Sequence, residues 1–309
     1  MIQTISKDVH KQLEKILGKE RVRNNILLAP FTTFKIGGPA QFFFEALSDD
    51  DLVHAVKSSA KLKLPITILG GTSNVIISDA GIKGLVVINR NIYKTIVCEE
   101  DKVVYLKVSS GYSMTRLAKE TAEDGLTGLE FHLGLPGTVG GALFMNSKWT
   151  NPVSYVGDTL TSAKLINPSG EIKIVNRDYF QFGYDQSILQ KTKEIVIWAQ
   201  FRLKKAKPQA VIEQGKKAFL YRKQTQPFGV FSSGCFFRNA DGRSAGELID
   251  KSGLKGFRIG GARVSDKHAN FIINFNHASS DDIKKLISHI KREVYQKHNI
   301  KLQEEVVFI

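Results

Sequence analysis

Residues 66–77 read Ile-Thr-Ile-Leu-Gly-Gly-Thr-Ser-Asn-Val-Ile-Ile, an apolar run rich in β-branched residues that is broken by a glycine pair and three polar residues and then resumes. Behind Pro65, Ile66 to Leu69 predicts a strand. Gly70-Gly71-Thr72-Ser73-Asn74 predicts a sharp turn whose main chain can come close to a ligand. Successive amides in such a turn can face a phosphate, and Ser73 and Asn74 add side-chain donors. Taken alone, the loop reads first as a plain turn between strands and second as a phosphate cradle. A second loop, Gly134-Leu135-Pro136-Gly137-Thr138-Val139-Gly140-Gly141, packs four glycines into eight residues, with Asn146 shortly after. It reads as a phosphate or flavin cradle. Gly37-Gly38 is either a β-turn or another ligand-approach point. Neither long loop is GxGxxG or GxxxxGK[ST], so the sequence does not support a Rossmann or P-loop mode. Together the loops suggest a large dinucleotide lying along several turns, without naming it.

Outward from these loops, helical and strand patterns mix without strict alternation, which predicts an α+β chain. Val9, Leu13, Ile16 and Leu17 mark a helix over residues 8–17. Ser48 followed by Asp49, Asp50 and Asp51 marks the start of another, running to Lys61. Ser113 caps a helix from Met114 to Glu123 that stops at Gly125. Strands are expected at 86–88, 103–108, 162–167, 171–175 and 195–203, and short strands near Gly260 and Ala269. Further helices are expected at 210–223, 245–251 and 281–297. Lys204 to Pro208 reads as a linker. The expected division is 1–85, 86–205 and 206–309.

The 309 residues are 42% hydrophobic and 24% charged, an ordinary balance for a globular enzyme. No apolar run reaches the roughly 20 residues of a membrane helix, and residues 1–20 have no continuous apolar region of a secretory signal. Two distant cysteines, Cys98 and Cys235, fit a reducing, cytoplasmic compartment. The formal charge of +14 is spread along the chain, with no basic run longer than a dipeptide and no nucleic-acid-binding pattern. It reads as a solvated basic surface that also attracts diphosphate ligands.

The seven histidines contain no i, i+4 pair, and neither HExxH nor CxxC occurs, so no metal is expected. Cys235, in Ser232-Ser233-Gly234-Cys235-Phe236-Phe237-Arg238-Asn239, reads first as a buried structural thiol. It could also be a proton donor, because a thiol with the ordinary pKa of about 8.5 is mostly protonated at neutral pH. Arg238 and Asn239 beside it could hold an anionic substrate. Glu305 alternates into an apolar strand, where a carboxylate normally faces solvent, and His268 sits among glycines and polar residues.

Several segments, in consistent order from about Leu28 onward, resemble the UDP-N-acetylenolpyruvoylglucosamine reductase family. Phe34-Lys35-Ile36-Gly37-Gly38-Pro39-Ala40, Leu69 to Asn74, and Gly128-Leu129-Glu130-Phe131 leading into Leu135 to Ala142 are similar to its flavin-binding half. Ser233 to Asn239, Ser244 to Asp250, Arg258 to Gly261 and Lys267 to Phe271 are similar to its substrate half. The resemblance implies a two-subdomain FAD-binding fold of the vanillyl-alcohol-oxidase or PCMH type with a C-terminal α+β substrate domain. It implies that NADPH reduces FAD, which then delivers hydride to C3 of UDP-N-acetylglucosamine enolpyruvate, giving UDP-N-acetylmuramate for peptidoglycan. A soluble monomer that binds neither nucleic acid nor membrane is expected.

By matching position, Gly70, Gly71, Thr72, Ser73, Asn74, Gly134, Pro136, Gly137, Thr138, Gly140 and Gly141 would bind FAD. Cys235 matches the family's proton donor, Ser or Cys, and Glu305 the carboxylate that helps stabilise the enediolate-like intermediate. Tyr184, Arg222, Asn239 and His268 fall at substrate-contact positions. The short interval from Tyr184 to Cys235 resembles the branch without an inserted substrate-covering loop.

The chain departs from the pattern in three places. Asp185 stands where the family carries a catalytic Arg, reversing the charge beside a substrate carboxylate; Val307 ends the Glu305-Val306-Val307 segment in place of Arg; and Asn146-Ser147-Lys148-Trp149-Thr150 replaces a Gly-containing run. Lys148 is a candidate compensating cation. The alternative implied by Asp185 is an FAD-binding homologue of reduced or altered activity.

Overall fold

The computed structural model describes residues 2–240 and 242–309, with side chains from residue 8 onward. The chain divides into two units built from interleaved segments: Met1–Asn24, Phe42–Gly71 and Lys83–Leu220 form the first, and Asn25–Gln41, Thr72–Ile82 and Tyr221–Ile309 the second.

In the first unit, the strand Ile66–Leu69 pairs in parallel with Ile82–Asn89, register Ile66 to Leu85 through Leu69 to Ile88. The helix Asp49–Lys61 begins at Ser48, whose hydroxyl accepts from the Asp51 amide, and three aspartates in its first turn meet the positive end of the helix dipole. Its Leu52 and Ala55 join Leu13, Phe42, Phe44, Leu85 and Val87 in one core. A six-stranded sheet follows, in which the long strand Ile195–Lys205 is central between Leu160–Ile166 and Val103–Ser109 and antiparallel to both. Its apolar face packs on the helix Met114–Glu123 through Leu106, Val108, Leu117 and Phe201.

Most of the segment expected to be a linker belongs to secondary structure. Lys204 and Lys205 continue the strand and pair with Thr127 and Leu126, and only Ala206 and Lys207 separate the strand from the helix Pro208–Thr225. The proline that suggested a break opens the helix, where its missing N–H costs nothing.

In the second unit, Phe231–Cys235, Phe271–Asn274, Ala262–Val264 and Arg258–Ile259 form an antiparallel sheet in that order. The helices Ala245–Lys251 and Ser280–His298 bury Leu248, Ile249, Ile283, Leu286 and Ile290 with Phe236 and Phe237. A short parallel pair joins Val75–Ile76 to Val307–Phe308. Among the described residues no helix is long and apolar enough to cross a membrane.

Candidate active site

Within the first unit, the glycine pair Gly70-Gly71 lies directly against the second glycine loop. A Cβ on Gly71 would fall 2.5 Å from the Gly137 Cα, and one on Gly70 would collide with the Thr138 hydroxyl. Only glycine permits that approach. The second loop is braced by the segment 110–115: Gly140 N–H donates to Ser110 C=O (2.8 Å), Val139 N–H to Tyr112 C=O (2.9 Å), and Met114 N–H to Gly137 C=O (3.1 Å). The Thr115 hydroxyl donates to Leu135 C=O at 2.7 Å. Thr138 then caps the helix Val139–Met145. Gly141 is exposed, and an added Cβ would meet nothing nearer than the Thr138 hydroxyl at 3.7 Å, so the rim of the loop is open to a ligand. Two apposed glycine loops with one open rim fit a flavin dinucleotide, because close main-chain approach is available at that rim. Gly134 (φ +82°) and Gly137 (φ +110°) adopt backbone conformations that favour glycine, and Pro136 between them is exposed.

The helix ends at Asn146, which takes a left-handed conformation (φ +47°) and donates from Nδ2 to Gly183 C=O at 3.0 Å. That bond ties down the turn carrying Tyr184 and Asp185. Tyr184 is exposed and Asp185 is buried, with Lys148 Nζ 3.8 Å from Asp185 Oδ2 and 3.1 Å from the Tyr184 ring centroid.

Within the second unit, the remainder of the first loop meets Cys235 and Glu305. The buried Thr72 hydroxyl donates to Phe31 C=O (2.8 Å), and Asn74 Nδ2 donates to Glu305 C=O (3.3 Å). A Cβ on Gly234 would lie 4.0 Å from Ser73 C=O, and the Ser233 hydroxyl donates to Val75 C=O. Glu305 N–H donates to Phe236 C=O (2.8 Å), which puts the main chain of the carboxylate residue beside that of Phe236, next to Cys235. Glu305 is half-buried here, against the solvent-facing expectation, because its neighbours Phe236 and Phe237 are core residues. Cys235 is half-buried as well.

Arg222 is buried within electrostatic reach of Cys235. Burial pulls its guanidinium down to about 10, and negative charge at Cys235 opposes that shift. It therefore remains a cation at neutral pH, close enough to Cys235 to interact with it electrostatically. The sequence marked Arg222 for substrate contact and carried no signal that it would sit beside the thiol.

Asn239 and His268 gather at the start of the helix Ala245–Lys251. Asn239 Oδ1 accepts from the Ala245 amide (3.1 Å), and a Cβ on Gly246 would lie 2.9 Å from His268 Cε1. His268 Nδ1 accepts from the Asn270 amide at 3.2 Å, which places the ring proton of the neutral form on Nε2. Burial lowers the His268 pKa, outweighing a backbone hydrogen bond that raises it, and nearby Lys255 lowers it further. Asn270, which the sequence did not single out by itself, exchanges two hydrogen bonds with Phe237 (2.9 and 2.8 Å) and so holds the strand after Cys235.

The chain is similar to known proteins. Residues 40–176 match the family model described as an FAD binding domain, and residues 226–309 the model described as UDP-N-acetylenolpyruvoylglucosamine reductase, C-terminal domain. The chain is 37% identical over 306 residues to the UDP-N-acetylenolpyruvoylglucosamine reductase of Clostridium novyi, covering 99% of this chain and 97% of that one. It is 38% identical over 288 residues to that of Chlamydia felis, covering 93% and 94%. The crystal structure of UDP-N-acetylenolpyruvylglucosamine reductase from Thermus caldophilus superposes with a TM-score of 0.79 at 30% identity, covering 93% of this chain and 98% of that one. At 10% identity, p-cresol methylhydroxylase still superposes with a TM-score of 0.58, covering 99% and 90%; this is a likeness of fold alone. The FAD-binding fold implied by the sequence motifs is the fold present. The chain belongs to the UDP-N-acetylenolpyruvoylglucosamine reductase family.

Proposed function

We propose that the protein reduces UDP-N-acetylglucosamine enolpyruvate to UDP-N-acetylmuramate at the expense of NADPH, with FAD as cofactor, in peptidoglycan precursor synthesis. The observation that carries this reading is that Cys235 has a buried cation, Arg222, within electrostatic reach and Glu305 hydrogen-bonded through its amide to the adjoining Phe236. Gly70 and Gly71 with the loop from Gly134 to Gly141 would hold the flavin dinucleotide, with Thr72, Ser73 and Asn74 continuing the first loop. When bound, FAD supplies hydride chemistry, carrying two electrons and a hydrogen from NADPH to C3 of the enolpyruvyl group.

The chain's own residues manage charge and protons. Addition at C3 leaves an electron pair at C2 that is shared with the carboxylate. The Cys235 thiol donates its proton to C2 and becomes a thiolate. Arg222 stabilises that thiolate from a site where little water screens the pair. Solvent then returns a proton to sulfur, and one proton is consumed per NADPH. Glu305 stabilises the enediolate-like intermediate, and Asn239, His268 and Tyr184 contact the nucleotide sugar.

A cytoplasmic monomer is part of the same reading, as is the three-part division at residues 85 and 205, the second of which is where the strand Ile195–Lys205 ends. The other reading, a flavoprotein of reduced or altered activity because of Asp185, gains nothing from the relatives, which carry the reductase name at near-full coverage. The test is NADPH oxidation by the FAD-loaded protein with and without UDP-N-acetylglucosamine enolpyruvate. A substrate-dependent rate is expected; a folded, yellow protein without one overturns the proposal.

A further inference from the structure

Within the second unit, the Lys267 ammonium donates to the main-chain carbonyl of Lys223 at 2.6 Å, a bond between residues 44 positions apart. Lys223 lies in the last turn of the helix Pro208–Thr225. In a regular helix its carbonyl would accept from the amide four residues on, and that residue is Pro227, which has no N–H. The preceding carbonyl, of Arg222, does have its helical partner, the Gln226 amide at 2.8 Å. The turn that carries Arg222 thus ends on an acceptor the helix cannot satisfy. A cation at the negative end of the helix dipole satisfies it.

The main chain of Lys267 is fixed as well. Its amide and that of His268 both donate to the Ser265 hydroxyl (3.2 and 3.3 Å), and Ser265 N–H donates to Phe271 C=O (2.8 Å), so residues 265–271 form a tight turn. Asn270 in that turn accepts from Phe236 N–H at its carbonyl (2.9 Å) and exchanges its two side-chain bonds with Phe237. Phe236 and Phe237 directly follow Cys235, which has Arg222 within electrostatic reach. The contacts close a circuit from Arg222 to Lys223, Lys267, Asn270, the strand of Cys235 and back to Arg222. The Lys267 link is an exposed side chain, so its removal leaves the buried core intact.

We propose that Lys267 is a positioning residue for the proton donor: by capping the Lys223 carbonyl it fixes the helical turn of Arg222 against the strand of Cys235. This rests on the roles of Cys235 and Arg222 proposed above. Lys267 acts on main chain, and the effect on the thiol passes through Arg222.

The test uses the FAD-loaded full chain carrying Cys98→Ser, which removes the exposed thiol so that alkylation by iodoacetamide reports Cys235. The alkylation rate against pH gives the midpoint of the thiol, and turnover of UDP-N-acetylglucosamine enolpyruvate is measured alongside. A cation held near a thiol lowers its midpoint, so Lys267→Met is expected to raise it by about one pH unit. The same change is expected to lower kcat by roughly tenfold with KM little altered. Lys267→Arg, which keeps a cationic donor, is expected to restore both. In an Arg222→Gln background, K267M is expected to move the midpoint no further. The other charged or titratable groups on the joined segments, Lys223, Arg238, Asp266, His268, Glu304 and Glu305, are the same in every variant. A K267M midpoint equal to that of the parent overturns the proposal alone. So does a second shift of equal size in R222Q/K267M, the mark of the lysine charge acting directly on the thiol. A parent protein silent to the substrate overturns the underlying reading of function, while the thiol midpoints, which need no substrate, still decide the role of Lys267.

Discussion

The Glu305 amide donates to the carbonyl of Phe236 at 2.8 Å, which stitches a carboxylate residue to the position next to Cys235. Two residues far apart in sequence are thereby held side by side, with Arg222 as the buried cation within reach of the thiol.

That relationship predicts different outcomes for two changes at Cys235. Cys235→Ser keeps a hydroxyl donor and is expected to retain substrate turnover within about tenfold of wild type, whereas Cys235→Ala is expected to lose on the order of 10²- to 10⁴-fold. Flavin reduction by NADPH without substrate stays unchanged in both. Stopped-flow separation of the two half-reactions is the check.

At the apposed loops, Gly71→Ala drives a Cβ to 2.5 Å from the Gly137 Cα, and neither backbone can yield without moving its loop. Overpacking of this kind costs about 1–3 kcal/mol. The variant is expected to release FAD on gel filtration under conditions where the wild type stays yellow, and to melt at lower temperature.

Acid should weaken the second unit through His268. Its folded pKa lies below the ordinary value of 6.5, mainly because of burial, so the unfolded chain binds the proton more readily. Stability is therefore complete above about pH 6.5 and falls as pH drops from there toward the folded pKa. Protonation also removes the Nδ1 acceptor of the Asn270 amide. Urea midpoints measured from pH 7.5 to 5 should fall less steeply in His268→Gln than in the wild type; equal slopes would rule out this contribution.

Asn270→Ala should be among the more damaging single changes near the thiol. It strips both hydrogen bonds from the Phe237 main chain in a site that water barely enters. An unsatisfied buried group costs about 1–3 kcal/mol. Chemical denaturation is expected to show a loss in that range, together with reduced turnover, because the strand carrying Cys235 loses its anchor.

Much of the fold was legible residue by residue. Ser48 and Ser113 mark helix starts because a hydroxyl there satisfies an otherwise unpaired amide, and the helices Asp49–Lys61, Met114–Glu123 and Ala245–Lys251 begin and end where the pattern puts them. Ile66–Leu69 announced itself through β-branched side chains behind a proline. The helix Val139–Met145 was missed inside the glycine loop, since Gly140 and Gly141 are poor helix formers and only the bracing by 110–115 holds them there. Lys204 to Pro208 was mistaken for a linker because local composition does not record that Lys204 and Lys205 find partners in Thr127 and Leu126.

By itself the sequence determined the family, the FAD-binding fold and the identity of the candidate residues, because short motifs in fixed order encode turns, caps and close main-chain approaches that depend on near neighbours. Only the tertiary structure decided which residues act on one another: Gly71 against Gly137, Arg222 beside Cys235, Glu305 on the edge of Phe236, and Lys148 over Tyr184 and against Asp185. Those pairings depend on desolvation and on distances between segments remote in the chain, and such energies exist only after the chain has folded around them.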